Sequence, residues 1–127
     1  MNKENLQRMA DHIRTVPQEM FDMSVYRQGD HNSIECGSVG CVIGHCIHLA
    51  PQLIRKSYGN VDFTSWSERY TEIDCSSDEW LFCFCGEWVN VDNTPEGAAL
   101  RIEWLINNGL PGDWEDQMYG NTPLCYK

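Results

Sequence analysis

The 127-residue sequence has no stretch approaching the ~18 consecutive apolar residues that a membrane-crossing helix needs. Its first residues, Met1-Asn2-Lys3-Glu4-Asn5-Leu6, lack the basic start, apolar middle and cleavage site of a secretory signal. These two absences set the expectation of a cytoplasmic protein without membrane association, whose thiols stay reduced. Also missing are a glycine-rich phosphate loop, a Ser-His-Asp pattern, a Cys-x-x-Cys or His-x-x-x-His pair, and a basic stripe of the kind that follows a nucleic-acid backbone. There is no internal repeat and no low-complexity tract.

Positive charge is scarce in one half of the chain. The net charge is −10, and residues 1–61 carry six acids and six bases that cancel. Residues 62–116 carry thirteen acids against only Arg69 and Arg101, a net of −11. Such a segment repels nucleic acid directly and attracts basic protein surfaces. The acids Glu68, Glu72, Asp74, Asp78, Glu79, Glu87, Asp92, Glu96, Glu103, Asp113, Glu115 and Asp116 are therefore candidates for a partner surface.

What is present is ample material for one core. A chain of this length fits a single domain spanning residues 1–127. It is 42% hydrophobic, with five Trp, five Tyr and four Phe, each worth roughly 150–250 Å² of surface if enclosed. Seven cysteines cannot pair completely within one chain, and in a reducing compartment they read as small buried hydrophobes.

The periodicity predicts a mainly α fold, a compact bundle of about four to five short helices closed by an irregular C-terminal strap. Over 3–15, Leu6, Met9, Ala10 and Ile13 fall on one helical face, and Pro17 follows. Residues 24–37 carry turn chemistry. A central helix is expected over 38–50, with Ser38 as N-cap and Pro51 as its limit. A weaker helix covers 63–74, capped by Thr64 or Ser65. Within 78–89 the run Leu81 to Cys85 is too short for periodicity to separate helix from strand, and Ser76 or Ser77 before Asp78 and Glu79 favours a short helix ending near Gly86. Thr94-Pro95-Glu96 opens the best-defined helix, 95–108, which Asn107-Asn108-Gly109 closes. Residues 112–127 read as the strap.

One constellation could carry chemistry. In Cys36-Gly37-Ser38-Val39-Gly40-Cys41-Val42-Ile43-Gly44-His45-Cys46-Ile47-His48, a helix places Cys41, His45 and His48 at i, i+4 and i+7, with Cys36 just before its first turn. Three readings are open. The cysteines are packing residues and the histidines bond locally. Alternatively, Cys36, Cys41 and His45 hold zinc, with His48 or a remote cysteine as fourth ligand. Or Cys41 is a nucleophile that His45 activates, its thiolate favoured by the helix N-terminus. Cys83 and Cys85, two apart, make a poor ligand pair.

The order of several short motifs resembles a group of small uncharacterised bacterial and phage proteins. The motifs are Phe21-Asp22-Met23, then Cys36-Gly37-Ser38-Val39-Gly40-Cys41 running to Gly44-His45, then Trp80-Leu81-Phe82 and Trp88, and finally Thr94-Pro95-Glu96-Gly97-Ala98-Ala99 through Arg101-Ile102 to Gly109-Leu110-Pro111. The resemblance spans most of the chain and implies an architecture and a phage or mobile-element setting, but no reaction. His48 and the later cysteines lie outside it.

The leading expectation is a non-enzymatic binding protein that works by protein contact. Its form in a phage setting is an inhibitor of a host defence or nucleic-acid enzyme, acting through nucleic-acid mimicry. A zinc protein and a Cys41-His45 thiol enzyme are the alternatives.

Overall fold

A computed structural model describes residues 1–23 and 41–127. The expected loop over 24–37, the Ser38 cap and Cys36 lie outside the described residues. The fold is mainly helical, as its periodicity predicts, with six α-helices and one two-stranded hairpin among the described residues.

The first helix, α1, runs Lys3–Ile13. Asn2 caps it, its Oδ1 accepting from Asn5 N at 3.0 Å. The expected apolar stripe is its buried face: Leu6, Met9, Ala10 and Ile13 are fully enclosed, each large side chain contributing about 1.5–3 kcal/mol of burial. That face lies along α5, Pro95–Asn108. Here the small residues Ala98 and Ala99 precede the larger Ile102 and Leu105, and all four are buried. Thr94 caps α5 as expected, its Oγ1 accepting from Gly97 N at 2.9 Å. Across the α1–α5 seam Arg14 reaches Glu103 at 2.6 Å and Glu96 at 2.9 Å.

The central helix is shorter than the sequence suggests. It is α2, Val42–Cys46, and it tightens into a 3₁₀ turn over Ile47–Leu49, with a second turn over Pro51–Leu53. Cys41 is not in the first turn: its backbone is extended (φ −85°, ψ −174°) and it flanks the helix. The β-branched Ile43 and Ile47, Gly44 and the stop at Pro51 leave little helix propensity here.

A hairpin unanticipated from sequence follows, β1 Lys56–Ser57 pairing antiparallel with β2 Asn60–Val61. Its loop residues Tyr58 (φ 52°) and Gly59 (φ 81°) are both left-handed, the arrangement two-residue hairpin loops require. Helix α3, Phe63–Thr71, is capped by Asp62 rather than by Thr64 or Ser65: Asp62 Oδ1 accepts from Ser65 N at 2.9 Å. It ends early because Glu72 turns left-handed (φ 57°). Two α1 groups satisfy carbonyls at the end of α3: Asn2 N donates to Thr71 O at 2.7 Å and Asn5 Nδ2 to Tyr70 O at 2.9 Å.

Helix α4, Asp78–Phe84, starts at a Ser77 cap and stops two residues before Gly86. Trp80 Nε1 donates to Ser67 Oγ at 2.9 Å, tying α4 to α3, and Trp66 Nε1 donates to Ala50 O at 2.9 Å, tying α3 to the turn before Pro51. The strap is only partly irregular. It contains a sixth helix, α6, Trp114–Tyr119, closed by a left-handed Gly120, and beyond it Leu124 and Tyr126 fold back into the core.

Candidate functional site

Cys36 lies outside the described residues, and the ligand atoms of Cys41, His45 and His48 do not all come within 4.8 Å of one another. Cys41 is buried, with 1% exposure. Burial pushes its thiol up to about 11, against the smaller downward pull of the backbone N–H groups of Gly44, Ile43 and Cys41 itself. The helix-start effect expected from sequence is thus present, but desolvation outweighs it. His45 is half-buried, and its Nε2 lies 2.6 Å from Met20 O. His48 is exposed on the 3₁₀ turn. Cys46, also expected to be a packing residue, is fully enclosed, and burial raises its thiol well above the ordinary value.

Among the described residues a different group brings three ligand-type atoms within 4.8 Å of one another: Glu68, Asp74 and Cys75. It sits where α3 turns into α4. The left-handed Glu72 reverses the chain so that Cys75 N donates to Glu68 Oε2 at 3.0 Å. Asp74 Oδ1 accepts from Ser76 N at 2.8 Å and from Ser76 Oγ at 2.6 Å, which holds its carboxyl below the ordinary value. The Cys75 thiol is raised, first by desolvation and then by the Glu68 carboxylate. Glu68 and Asp74 stand among the sequence-selected acids. Cys75 does not, because its partners come from a backbone reversal that no local spacing announces.

The same corner carries a shallow groove of about 270 Å³, lined by Met1, Glu72, Ile73, Asp74, Ser77 and Glu79. Asp78 and Glu79 occupy the first turn of α4, where carboxylates favour the positive helix end. Five of the twelve selected acids therefore belong to this α3–α4 corner.

The other seven divide among three places. Glu96 and Glu103 are engaged by Arg14, and Asp92 accepts from Thr94 Oγ1 at 2.9 Å and lies 3.7 Å from Lys127 Nζ. At the opposite end of α5, Asp113 accepts from Gln117 Nε2 at 2.6 Å, while Glu115 and Asp116 stand exposed on the first turn of α6. Glu87 is exposed in the segment between α4 and α5.

None of the thirteen acids of residues 62–116 is buried. Of the segment's two bases, Arg101 is completely buried. Its Nη1 donates to Asp92 O at 3.0 Å and to Tyr126 OH at 3.1 Å, its Cζ stands 5.5 Å from the Tyr126 ring, and Nε and Nη2 have no acceptor. Arg69 is left as the one exposed cation the segment contributes.

No helix among the described residues is long and apolar enough to cross a membrane. Comparison with protein-family models, with curated proteins and with solved structures finds no match.

Proposed function

We propose that this is a binding protein that holds a basic protein partner against the acidic surface of residues 62–116. One observation carries the reading: none of the segment's thirteen acids is buried and eight are exposed, while one of its two bases, Arg101, is withdrawn into the core. Charge of one sign with few local counterions steers and orients an oppositely charged partner. The partner that fits is a protein whose own surface is built to hold phosphates, so that the acidic segment stands in for nucleic acid. In a phage or mobile-element setting, this is the chemistry of an inhibitor of a host defence or nucleic-acid enzyme. The test is capture from host lysate at about 50 mM and about 500 mM salt. A basic protein retained at low salt, released at high salt, and lost when Glu72, Asp74, Glu115 and Asp116 are neutralised together supports the reading. Capture that ignores both salt and neutralisation overturns it.

A metal site is the second reading, and the grouping of Glu68, Asp74 and Cys75 favours it. Zinc accepts carboxylate and thiolate donors together. The hydrogen bonds already made by both carboxylates, to Cys75 N and to Ser76, account for the same geometry without an ion. Elemental analysis with thermal melts decides between them: an equivalent of zinc and a lower Tm after chelation support the site, and no metal with an unchanged melt removes it. Burial of the Cys41 thiol, which pushes it up to about 11, weighs against the thiol-enzyme reading.

A further inference from the structure

The side chains between α4 and α5 meet the end of α6 in an aromatic patch. Trp88 stands edge-on to Trp114 and Tyr119, with ring centroids 5.5 Å and 5.1 Å away and interplanar angles of 88° and 90°. Beside it Val89 is 81% exposed and Tyr119 54% exposed. The patch is held in place, because Asn90 N donates to Met118 O at 2.8 Å and Asn90 Nδ2 to Gln117 O at 2.8 Å. Those bonds tie the segment to two carbonyls in the last turn of α6, of which Gln117 O also accepts from Gly120 N at 3.1 Å.

The rim of this patch is acidic. Glu115 and Asp116 lie four and three residues before Tyr119, on the same side of α6. Glu87 immediately precedes Trp88, and all three acids are exposed. Residues 102–126 contain no Lys or Arg, so no base from that stretch competes for the rim. Isolated exposed apolar residues are ordinary, but an aromatic cluster with carboxylates of one sign around it has a specific complement. A guanidinium lies favourably over Tyr and Trp faces, gains from nearby carboxylates, and leaves the aliphatic part of its chain against apolar surface.

We infer that Trp88, Val89 and Tyr119, with the rim of Glu87, Glu115 and Asp116, are the docking centre for an arginine-containing segment of a protein partner. This rests on the acidic-surface reading and deepens it. An arginine of the segment stacks on Tyr119, beside the Trp88 ring that stands at 90° to it, while facing Glu115 and Asp116, and an apolar neighbour covers Val89. The α3–α4 corner then contributes long-range attraction rather than the seat itself.

NMR titration of the isotope-labelled full chain with a short arginine–leucine peptide tests this, with a glutamate–leucine peptide as control. The Trp88 indole resonance, identified by its loss in Trp88→Phe, should shift saturably with the first peptide and not with the second. Tyr119→Ser, an exposed change, should weaken binding about fivefold, the size of one surface cation–π contact. Glu72→Gln combined with Asp74→Asn should weaken it less than about twofold at moderate salt. Saturable shifts confined to the α3–α4 corner would overturn this site and leave the acidic-surface reading standing. No saturable shift anywhere would overturn both. Unchanged affinity in a folded Tyr119→Ser protein would remove the aromatic seat.

Discussion

Replacing Glu103 by Gln removes the carboxylate on which the α1–α5 seam converges. Glu103 faces Arg14 Nη2 at 2.6 Å and Arg14 Nη1 at 2.7 Å, and its Oε2 also accepts from Gln7 Nε2 at 2.8 Å. These bonds, that to Arg14 foremost, pull its carboxyl down from 4.5 to about 2, while Arg14 is raised by the same partner. A depression of this size corresponds to a ceiling of about 3 kcal/mol. The side chains are 25% and 30% exposed, so solvent screening reduces the expected loss to about 1–2 kcal/mol at pH 7. The sign follows from which state binds the proton first. The folded-state value lies below the unfolded one, so the unfolded chain protonates first as pH falls. The stabilisation is therefore complete above about pH 4.5–5 and lost progressively toward about pH 2. Urea unfolding of wild type and Glu103→Gln, compared at pH 7 and near pH 2, measures it, and the difference between the two proteins cancels the other carboxylates. A gap that is the same at both pH values would refute the electrostatic reasoning and assign the loss to packing.

Three further perturbations follow from the same contacts. Trp66→Phe removes the indole donor from the Ala50 carbonyl, which keeps Leu53 N at 3.1 Å, and leaves a void in a fully buried position; it should lower stability by about 1–3 kcal/mol in chemical denaturation. Gly86→Ala places a methyl against the Met23 carbonyl. Because backbone cannot swing aside as a long side chain can, it should cost about 2 kcal/mol or more, read as a lower Tm. Cys41, buried and pushed up to about 11, and Cys83, pushed up to about 12 by burial with Arg101 opposing, should be among the last thiols to alkylate in the native protein near pH 7.5. Time-resolved mass spectrometry of the labelled protein checks this, and rapid labelling of Cys41 would revive it as a nucleophile.

What the sequence revealed depended on how local each signal is. Helix α5 was legible because Thr94, Pro95, Glu96 and Gly109 punctuate it and its apolar period continues for fourteen residues. Helix α1 was legible from four residues that all prove buried. By contrast, α6 spans six residues, too few for a period to stand out among Gly, Asn and Pro, although Asp113, Glu115, Asp116 and Gly120 punctuate it. In α3 the capping residue lies two or three positions earlier than expected because Asp62, Thr64 and Ser65 are all chemically able caps, and tertiary placement chose among them. The acidic half was legible as a count, not as a surface. Nothing local says that Arg14, eighty-two residues before Glu96, takes two of its carboxylates, or that Arg101 leaves the surface. Burial of Cys41, which sets its chemistry, is likewise a long-range property. The aromatic seat at Trp88 and Tyr119 joins residues from two segments, so only the folded chain brings it together.

The most direct measurement of the central claim is the salt dependence of binding between the intact protein and a fluorescent arginine–leucine peptide, read by anisotropy at about 50 mM and about 500 mM salt. Screening shortens the reach of exposed charges from beyond ~10 Å to a few ångströms over this range. The account predicts saturable binding at low salt and an affinity at least tenfold weaker at high salt. No binding at low salt, or an affinity indifferent to salt, would contradict it.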